Sequence, residues 1–216
     1  MSIIINSEKV IKKQHNFWNH ILFHPTDAVE DEWGQRILNQ IAKDNAADYV
    51  RVYTMFEDMV TRGEDGKLVF DYTESDVRLD YLVSKGFNLI LTYAFIPECL
   101  NGGSDDPNDY MGPRYKGKKF CTLPPKDYSE WEQVCFEYTK HITERYGREK
   151  VASWYLMCYN EPELGFFQKG LSVKLKEKAG DMSAEDYYDS QLPVEASKIK
   201  MVEYTKLYVS FVKGVL

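Results

Sequence analysis

Apolar positions along this chain switch repeatedly between two rhythms. Short runs of β-branched and aromatic residues alternate with stretches in which apolar residues recur every three or four positions, as on one face of a helix. Residues 16–23 read as a first strand. Within 27–44, Trp33, Ile37 and Ile41 fall at i, i+4 and i+8, which predicts a helix turning those three side chains inward. Residues 49–54 predict a second strand, and Gly63, Asp65 and Gly66 mark a turn. A helix is expected over 75–85, stopped by Gly86 where a positive φ is needed. Residues 87–94 are apolar enough for a third strand buried on both faces.

The stretch 101–125 is long, polar and rich in Gly and Pro, which points to a functional or a disordered loop. Ser129 and Glu132 have the spacing of a capping box at the head of a helix over 129–146. Its inward stripe is Trp131, Val134, Tyr138 and Ile142, and Gly147 ends it. A fourth strand is expected over 152–159, an irregular insertion over 169–193, and a last long helix over 197–213. Four successive βα units imply an α/β fold with parallel strands. A doubly wound sheet and a barrel both begin this way. No Gly-x-Gly-x-x-Gly follows the first strand and no Gly-Lys-Ser/Thr occurs, so the nucleotide-binding form of the doubly wound sheet loses ground.

Composition narrows the function class. With 216 residues, 44% of them hydrophobic and 28% charged, the chain suits one substantial globular core. A formal net charge of −7 argues against nucleic acid as a partner, because a basic face supplies that affinity. No apolar run approaches the roughly 20 residues of a membrane-spanning helix. Residues 1–14 lack a cleavage site of the secretory kind, and a cytoplasmic location is the expectation. The four cysteines form no Cys-x-x-Cys pair, which disfavours a zinc ribbon. His20 and His24 stand four apart, with His15 nearby, but this segment reads as strand and lacks the His-Glu-x-x-His pattern. No metal or cofactor is expected, and His24 is placed instead after strand one, at the mouth of a pocket. Aromatic residues make up 14%, with 16 Tyr and 4 Trp. Such rings pack on the C–H faces of sugars as readily as they fill cores.

The candidate chemistry lies in Trp154-Tyr155-Leu156-Met157-Cys158-Tyr159-Asn160-Glu161-Pro162. A carboxylate stands where a buried strand runs out, followed by a proline that ends the pairing. In a barrel, strand C-termini line the active-site mouth. Glycoside hydrolysis needs one carboxyl group to protonate the leaving oxygen and a second to attack or to activate water. Glu161 is the candidate proton donor, and Asn160 can hydrogen-bond a sugar hydroxyl. A carboxylate there could also merely cap the following element. Arg51 and Tyr53 share a face of the second strand, since side chains alternate with period two.

Several segments together resemble glycoside hydrolase family 39, the β-xylosidase and α-L-iduronidase family. They are Phe17-Trp18, Asp31-Glu32-Trp33, Tyr49-Val50-Arg51-Val52, Phe95-Ile96-Pro97-Glu98, Thr122 to Tyr128, Glu144-Arg145-Tyr146-Gly147, and Trp154 through Leu164 with Phe166-Phe167. The resemblance covers 16–167 and 202–213. It implies a retaining glycosidase on a TIM (β/α)8-type barrel, with acid/base and nucleophile on strands four and seven. It implies Glu161 as general acid/base and Asn160 as partner of the sugar 2-hydroxyl. It puts Arg51 near the nucleophile, and implies Tyr53, His24, Phe95 and Tyr115 as substrate contacts. Tyr115 belongs to the loop 110–117, which resembles an aromatic substrate loop. Tyr53 stands where many members have His, and Glu163 where Asn is common.

The same resemblance implies four further βα units and a nucleophile on strand seven. A (β/α)8 domain takes about 250 residues or more. The chain is therefore expected to be a fragment, a split gene product or a truncated gene model holding the first four βα units over 15–216. Residues 1–14 resemble a strand of the family's accessory β-sandwich. The expected substrate is an oligosaccharide or glycoside, β-xylosidic by family frequency, and the isolated chain is expected to be inactive and to associate through its exposed half-barrel edges. The alternative is a catalytically inactive fragment or carbohydrate-binding half-barrel remnant.

Overall fold

A computed structural model describes residues 19–22, 29, 31–103, 105, 110–111, 120–121, 123–162 and 192–216. In chain order its elements are β1 (His20–Leu22), α1 (Glu32–Lys43), β2 (Tyr49–Tyr53), α2 (Phe56–Met59), β3 (Val60–Arg62), β4 (Leu68–Phe70), α3 (Thr73–Ser84) and β5 (Asn88–Tyr93). There follow α4 (Glu98–Asn101), β6 (Tyr110–Met111), β7 (Phe120–Cys121), α5 (Tyr128–Tyr146), α6 (Arg148–Ala152), β8 (Tyr155–Cys158) and α7 (Leu192–Val215).

Strands β1, β2, β5 and β8 form one sheet in that order, and every neighbouring pair is parallel. A parallel neighbour cannot be reached by a hairpin, so α1, α3 and α5 lie between the paired strands in sequence. The fold is α/β with a parallel sheet, as the alternating rhythms predict. Side-chain alternation gives the sheet two unlike faces. Val50, Val52, Leu89, Leu91 and Tyr93 are sealed from solvent. Their face meets the stripe Trp131, Val134, Tyr138 and Ile142 of α5, all buried as expected. Edge-on ring contacts of Phe56 with Tyr93, Trp131 and Tyr138, at 5.2 to 5.5 Å, tie the two layers. The opposite face carries Tyr49, Arg51 and Met157, all partly buried, and Tyr155, which is 61% exposed.

Helix α7 lies along α5. Leu207, Ser210 and Phe211 are buried in the contact, and Gly214 lets the backbones meet. A Cβ on Gly214 would stand 2.5 Å from the Glu132 carbonyl oxygen and 2.7 Å from Cys135 Cβ.

Local structure departs from the sequence expectation in four places. In α1 the buried line is Gly34 and Leu38, with Ile41 and Ala42 partly buried against the core, while Trp33 and Ile37 are 42% and 44% exposed. The inward face is rotated by about one residue from the expected one. Helix α5 starts one residue early, capped by Asp127, whose carboxylate accepts from Ser129 N at 2.8 Å and from Ser129 Oγ at 2.7 Å. A charged acceptor facing the helix dipole outcompetes the neutral Ser129 cap. Strand β8 is shorter than expected, because residues 148–152 are helical. The Gly63–Gly66 turn proves to join a small antiparallel hairpin, β3 with β4. Arg62 pins that hairpin, donating to both carboxylate oxygens of Glu130 at 2.8 Å and to the carbonyls of Gly66 and Cys99.

Candidate active site

The C-terminal ends of β2, β5 and β8 lie side by side and carry most of the residues singled out by sequence. On β2, Arg51 projects from the face opposite the helices. Its Nε donates to Thr92 Oγ1 of β5 at 3.0 Å, and a terminal nitrogen donates to Asn160 Oδ1 at 2.7 Å. One guanidinium thus clamps three strand ends, its planar fork being suited to two acceptors at once. Thr92 Oγ1 in turn faces Met157 Sδ of β8 at 3.7 Å. Because arginine only donates, the Asn160 amide must turn its oxygen toward Arg51. Its NH2 end is then the part directed elsewhere, as a donor.

Beyond β8 the backbone turns sharply. Tyr159 N still pairs with Tyr93 O at 3.1 Å, but Tyr159 and Glu161 hold φ values of 57° and 44°. Left-handed conformations cost a non-glycine residue about 1 kcal/mol or more, and such strain persists only where the surroundings fix it. Here Tyr159 is sealed in the core and Pro162 follows, so the turn lifts Glu161 out of the sheet and exposes it.

An aromatic layer lies beneath. Tyr53 and Phe95 are stacked, with centroids 5.8 Å apart and planes 10° apart. Phe95 meets Phe120 at 4.9 Å and the edge of Tyr159 at 5.9 Å. The Arg51 guanidinium carbon lies 5.5 Å from the Tyr53 ring centre. Burial pushes the Tyr53 phenol above the ordinary tyrosine range; the Arg51 charge pulls it down, and the Glu161 charge pushes it up. Glu161 and Arg51 therefore both act electrostatically on the same phenol.

The ends of β2 and β5 are tied together past their last ladder residues. Thr54 N donates to Thr92 O at 3.0 Å, Thr54 Oγ1 and Ala94 exchange hydrogen bonds at 3.0 and 3.1 Å, and Met55 N donates to Ala94 O at 2.9 Å. The Ala94–Phe95 peptide is cis. Phe95 N donates to Glu57 Oε2 at 3.1 Å.

Of the residues picked out by sequence, Arg51, Tyr53, Phe95, Asn160 and Glu161 come together at these strand ends. His24 and Tyr115 lie outside the described residues. Thr92 and Glu57 went unrecognised. Thr92 is recognisable only through the register that sets it beside Tyr53 and Met157, and nothing in the sequence separates Glu57 from an ordinary surface acid. A polar hollow of about 350 Å³ lies at the opposite end of the sheet, between Asp48, Lys85 and Asn88, and holds none of these residues. Among the described residues no helix is long and apolar enough to cross a membrane.

The chain is similar to known proteins in sequence and in fold. The family model Glycosyl hydrolases family 39 matches residues 1–183. A β-xylosidase of Caldicellulosiruptor saccharolyticus is 30% identical over 176 residues, 79% of this chain and 34% of that protein. A β-xylosidase of Geobacillus stearothermophilus is 31% identical over 107 residues, 49% of this chain and 20% of that protein. The crystal structure of a monomeric β-xylosidase from Caulobacter crescentus CB15 superposes with a TM-score of 0.57 at 23% identity, over 85% of this chain and 34% of that one. The fold is thus similar to that of family 39 barrel enzymes, and the chain spans about a third of the length of the first of these curated relatives.

Proposed function

The chain belongs to glycosyl hydrolases family 39, and from that premise we propose that it forms the acid/base-bearing part of a retaining, β-xylosidase-like glycosidase with Glu161 as the proton donor. The observation that carries this reading is the 2.7 Å Arg51–Asn160 hydrogen bond at the shared C-terminal edge of β2 and β8. It fixes the amide next to Glu161 with its NH2 group presented as a donor for a sugar hydroxyl oxygen. In the first step the Glu161 carboxyl group gives its proton to the glycosidic oxygen as the bond to the anomeric carbon breaks. In the second, the Glu161 carboxylate takes a proton from the water that displaces the enzyme.

Retention requires a second carboxylate about 5 Å from the first. On our reading it comes from the part of the relatives' length that this chain does not span. The sheet is then the first half of a (β/α)8 barrel, and its partly exposed face, with Tyr49, Arg51 and Tyr155, is the lumen side awaiting the opposite wall. Tyr53 and Phe95 act as the buried floor of the glycone site.

The test is Glu161→Gln in a protein joined to the remaining barrel strands, assayed on nitrophenyl glycosides and on an unactivated xylo-disaccharide. Turnover of the disaccharide should fall by roughly 100-fold or more, the usual scale for losing a general acid. Activated aryl glycosides should be spared in the first step, and azide should rescue the second. Near-normal hydrolysis of the disaccharide by the variant overturns the assignment.

A further inference from the structure

We propose that Glu57 is a positioning residue of this site: its carboxylate anchors the aromatic floor beneath Asn160 and Glu161 by holding the backbone N–H of Phe95. The inference rests on the glycosidase reading only in calling the floor part of an active site; the anchoring itself rests on geometry.

Three observations combine. First, Glu57 reaches across from the β2 side to the β5 side. It lies in α2, which begins right after Met55, a residue held left-handed at φ 60° with its N–H bonded to Ala94 O. That turn aims the start of α2 back over the end of β5. Second, the Phe95 N–H it accepts from, at 3.1 Å, lies two residues past Tyr93, the last residue of β5. Thr54 and Met55 serve Ala94, and Glu57 serves the next residue along. Third, the Phe95 ring is the hub of the floor. It touches Tyr53, Phe120 and Tyr159, on β2, β7 and the turn after β8. Glu57 also acts on Tyr159 by its charge, which adds to the upward push of burial on that phenol. Tyr159 is two residues from Glu161 and shares its left-handed backbone. A shift of Phe95 is therefore transmitted to Tyr53 on one side and to the turn carrying the acid on the other. A charged acceptor on a backbone N–H is stronger than a neutral one and fixes direction as well as distance.

The experiment uses the chain as it stands, in nuclear magnetic resonance, and needs no turnover. In the wild type the Phe95 amide proton should shift with pH along a single carboxyl titration, and Glu57→Gln should abolish that dependence while leaving the amide protected. Glu57→Ala should speed Phe95 amide exchange by roughly tenfold or more, on the scale of losing one charge-assisted hydrogen bond. It should also move the Tyr53 titration down toward the ordinary tyrosine value as water enters, with Tyr138, in the helix-side core, unmoved. A general loss of stability would move both tyrosines together. If Glu57→Ala does not fold, the wild-type titration and the Gln variant decide alone. A Phe95 amide indifferent to carboxyl titration overturns the proposal, as does a Tyr53 titration unchanged in a folded Ala variant. A second arm adds methyl β-xyloside to the chain joined to its barrel strands. Weaker xyloside binding in Glu57→Ala, restored in Glu57→Gln, extends the anchoring to substrate. An unaltered affinity overturns that extension. If Glu161→Gln leaves hydrolysis intact while the Phe95 and Tyr53 signals still respond to Glu57, the glycosidase assignment fails and the anchoring stands.

Discussion

Replacing Gly214 by alanine sets two effects of opposite sign against each other. Alanine is the better helix former, by about 1 kcal/mol at an interior position and by less in the last turn, where Gly214 stands. Against that, its Cβ would sit 2.5 Å from the Glu132 carbonyl oxygen, 2.7 Å from Cys135 Cβ and 3.0 Å from the Phe136 nitrogen. Two of those three atoms are backbone, so no side chain can rotate away. An ordinary carbon contact is about 3.5–4.0 Å, so α7 must retreat from α5 by about 1 Å or unwind its last turn. Retreat loosens Leu207 and Phe211, both buried against the α5 layer. Unwinding exposes the partly buried Val215. Overpacking of this kind costs about 1–3 kcal/mol, which outweighs the gain in propensity. We expect net destabilisation of about 1–2 kcal/mol, read as a fall in Tm of about 2–8 °C for a chain of this size. The assay is thermal unfolding by circular dichroism, with the exposed neighbour Lys213→Ala as the control for propensity alone. A Gly214→Ala protein as stable as wild type, or more so, would refute the close-packed α5–α7 contact.

Three further outcomes follow from the site and its surroundings. Arg51→Lys keeps the charge but cannot span Thr92 and Asn160 together; losing a charge-assisted bond worth about 1.5–3 kcal/mol should broaden the Asn160 side-chain amide resonances, and unchanged resonances would mean that the clamp is not formed in solution. Acid stability should track Asp80, whose carboxyl is held below the ordinary range first by its hydrogen bond to Arg145 and then by Tyr146, and the exposed Asp71 and Asp127, held low by Thr73 and Ser129. A depressed folded pKa means that this stability is complete above the unfolded carboxylate range of about pH 4 and is lost as pH falls through the lower folded values; Asp80→Asn should therefore lower Tm at pH 7 and flatten its fall between pH 4 and pH 2. Burial pushes the Cys158 thiol up to about 12 and Cys135 up as well, so iodoacetamide at about pH 8 should label the half-buried Cys99 first, with Cys135 and Cys158 modified only on unfolding, as read by peptide mass spectrometry.

The parts legible in the sequence are those set by local pattern. The β-branched run at 49–54, the continuous apolar run at 87–94 and the Trp131-Val134-Tyr138-Ile142 stripe predicted the sheet and its main helix, because buried strands and a helix packed on one side impose those patterns. The place of Asn160 and Glu161 just past a strand end was legible because an apolar run stops there and Pro162 ends the pairing. What escaped was decided by tertiary competition. Trp33 and Ile37 have the right spacing to face inward, yet Gly34 and Leu38 take that place. Ser129 and Glu132 satisfy a capping pattern, yet Asp127 is nearer to the helix end and charged. Thr92 and Glu57 carry no local signature, since their importance arises from parallel register and from a left-handed turn at Met55.

The neighbour order of the sheet bears on how the molecule can be made. Each strand pairs with the one before it in the parallel sheet, so a chain emerging from the ribosome never needs to reserve a gap for a strand not yet synthesised. β5 meets an edge already supplied by β2, and β8 meets one supplied by β5. The rings that close the helix-side core, Phe56, Tyr93, Trp131 and Tyr138, are all in place once α5 has been translated. Assembly can thus advance in the direction of translation as one ratchet, each step leaving a single fresh edge for the next. The vulnerable interval is the time a strand waits for the helix that covers it, and it is long for β5, whose covering helix lies beyond the whole stretch from Ala94 to Asp127, and for β8, whose covering helix begins only at Leu192.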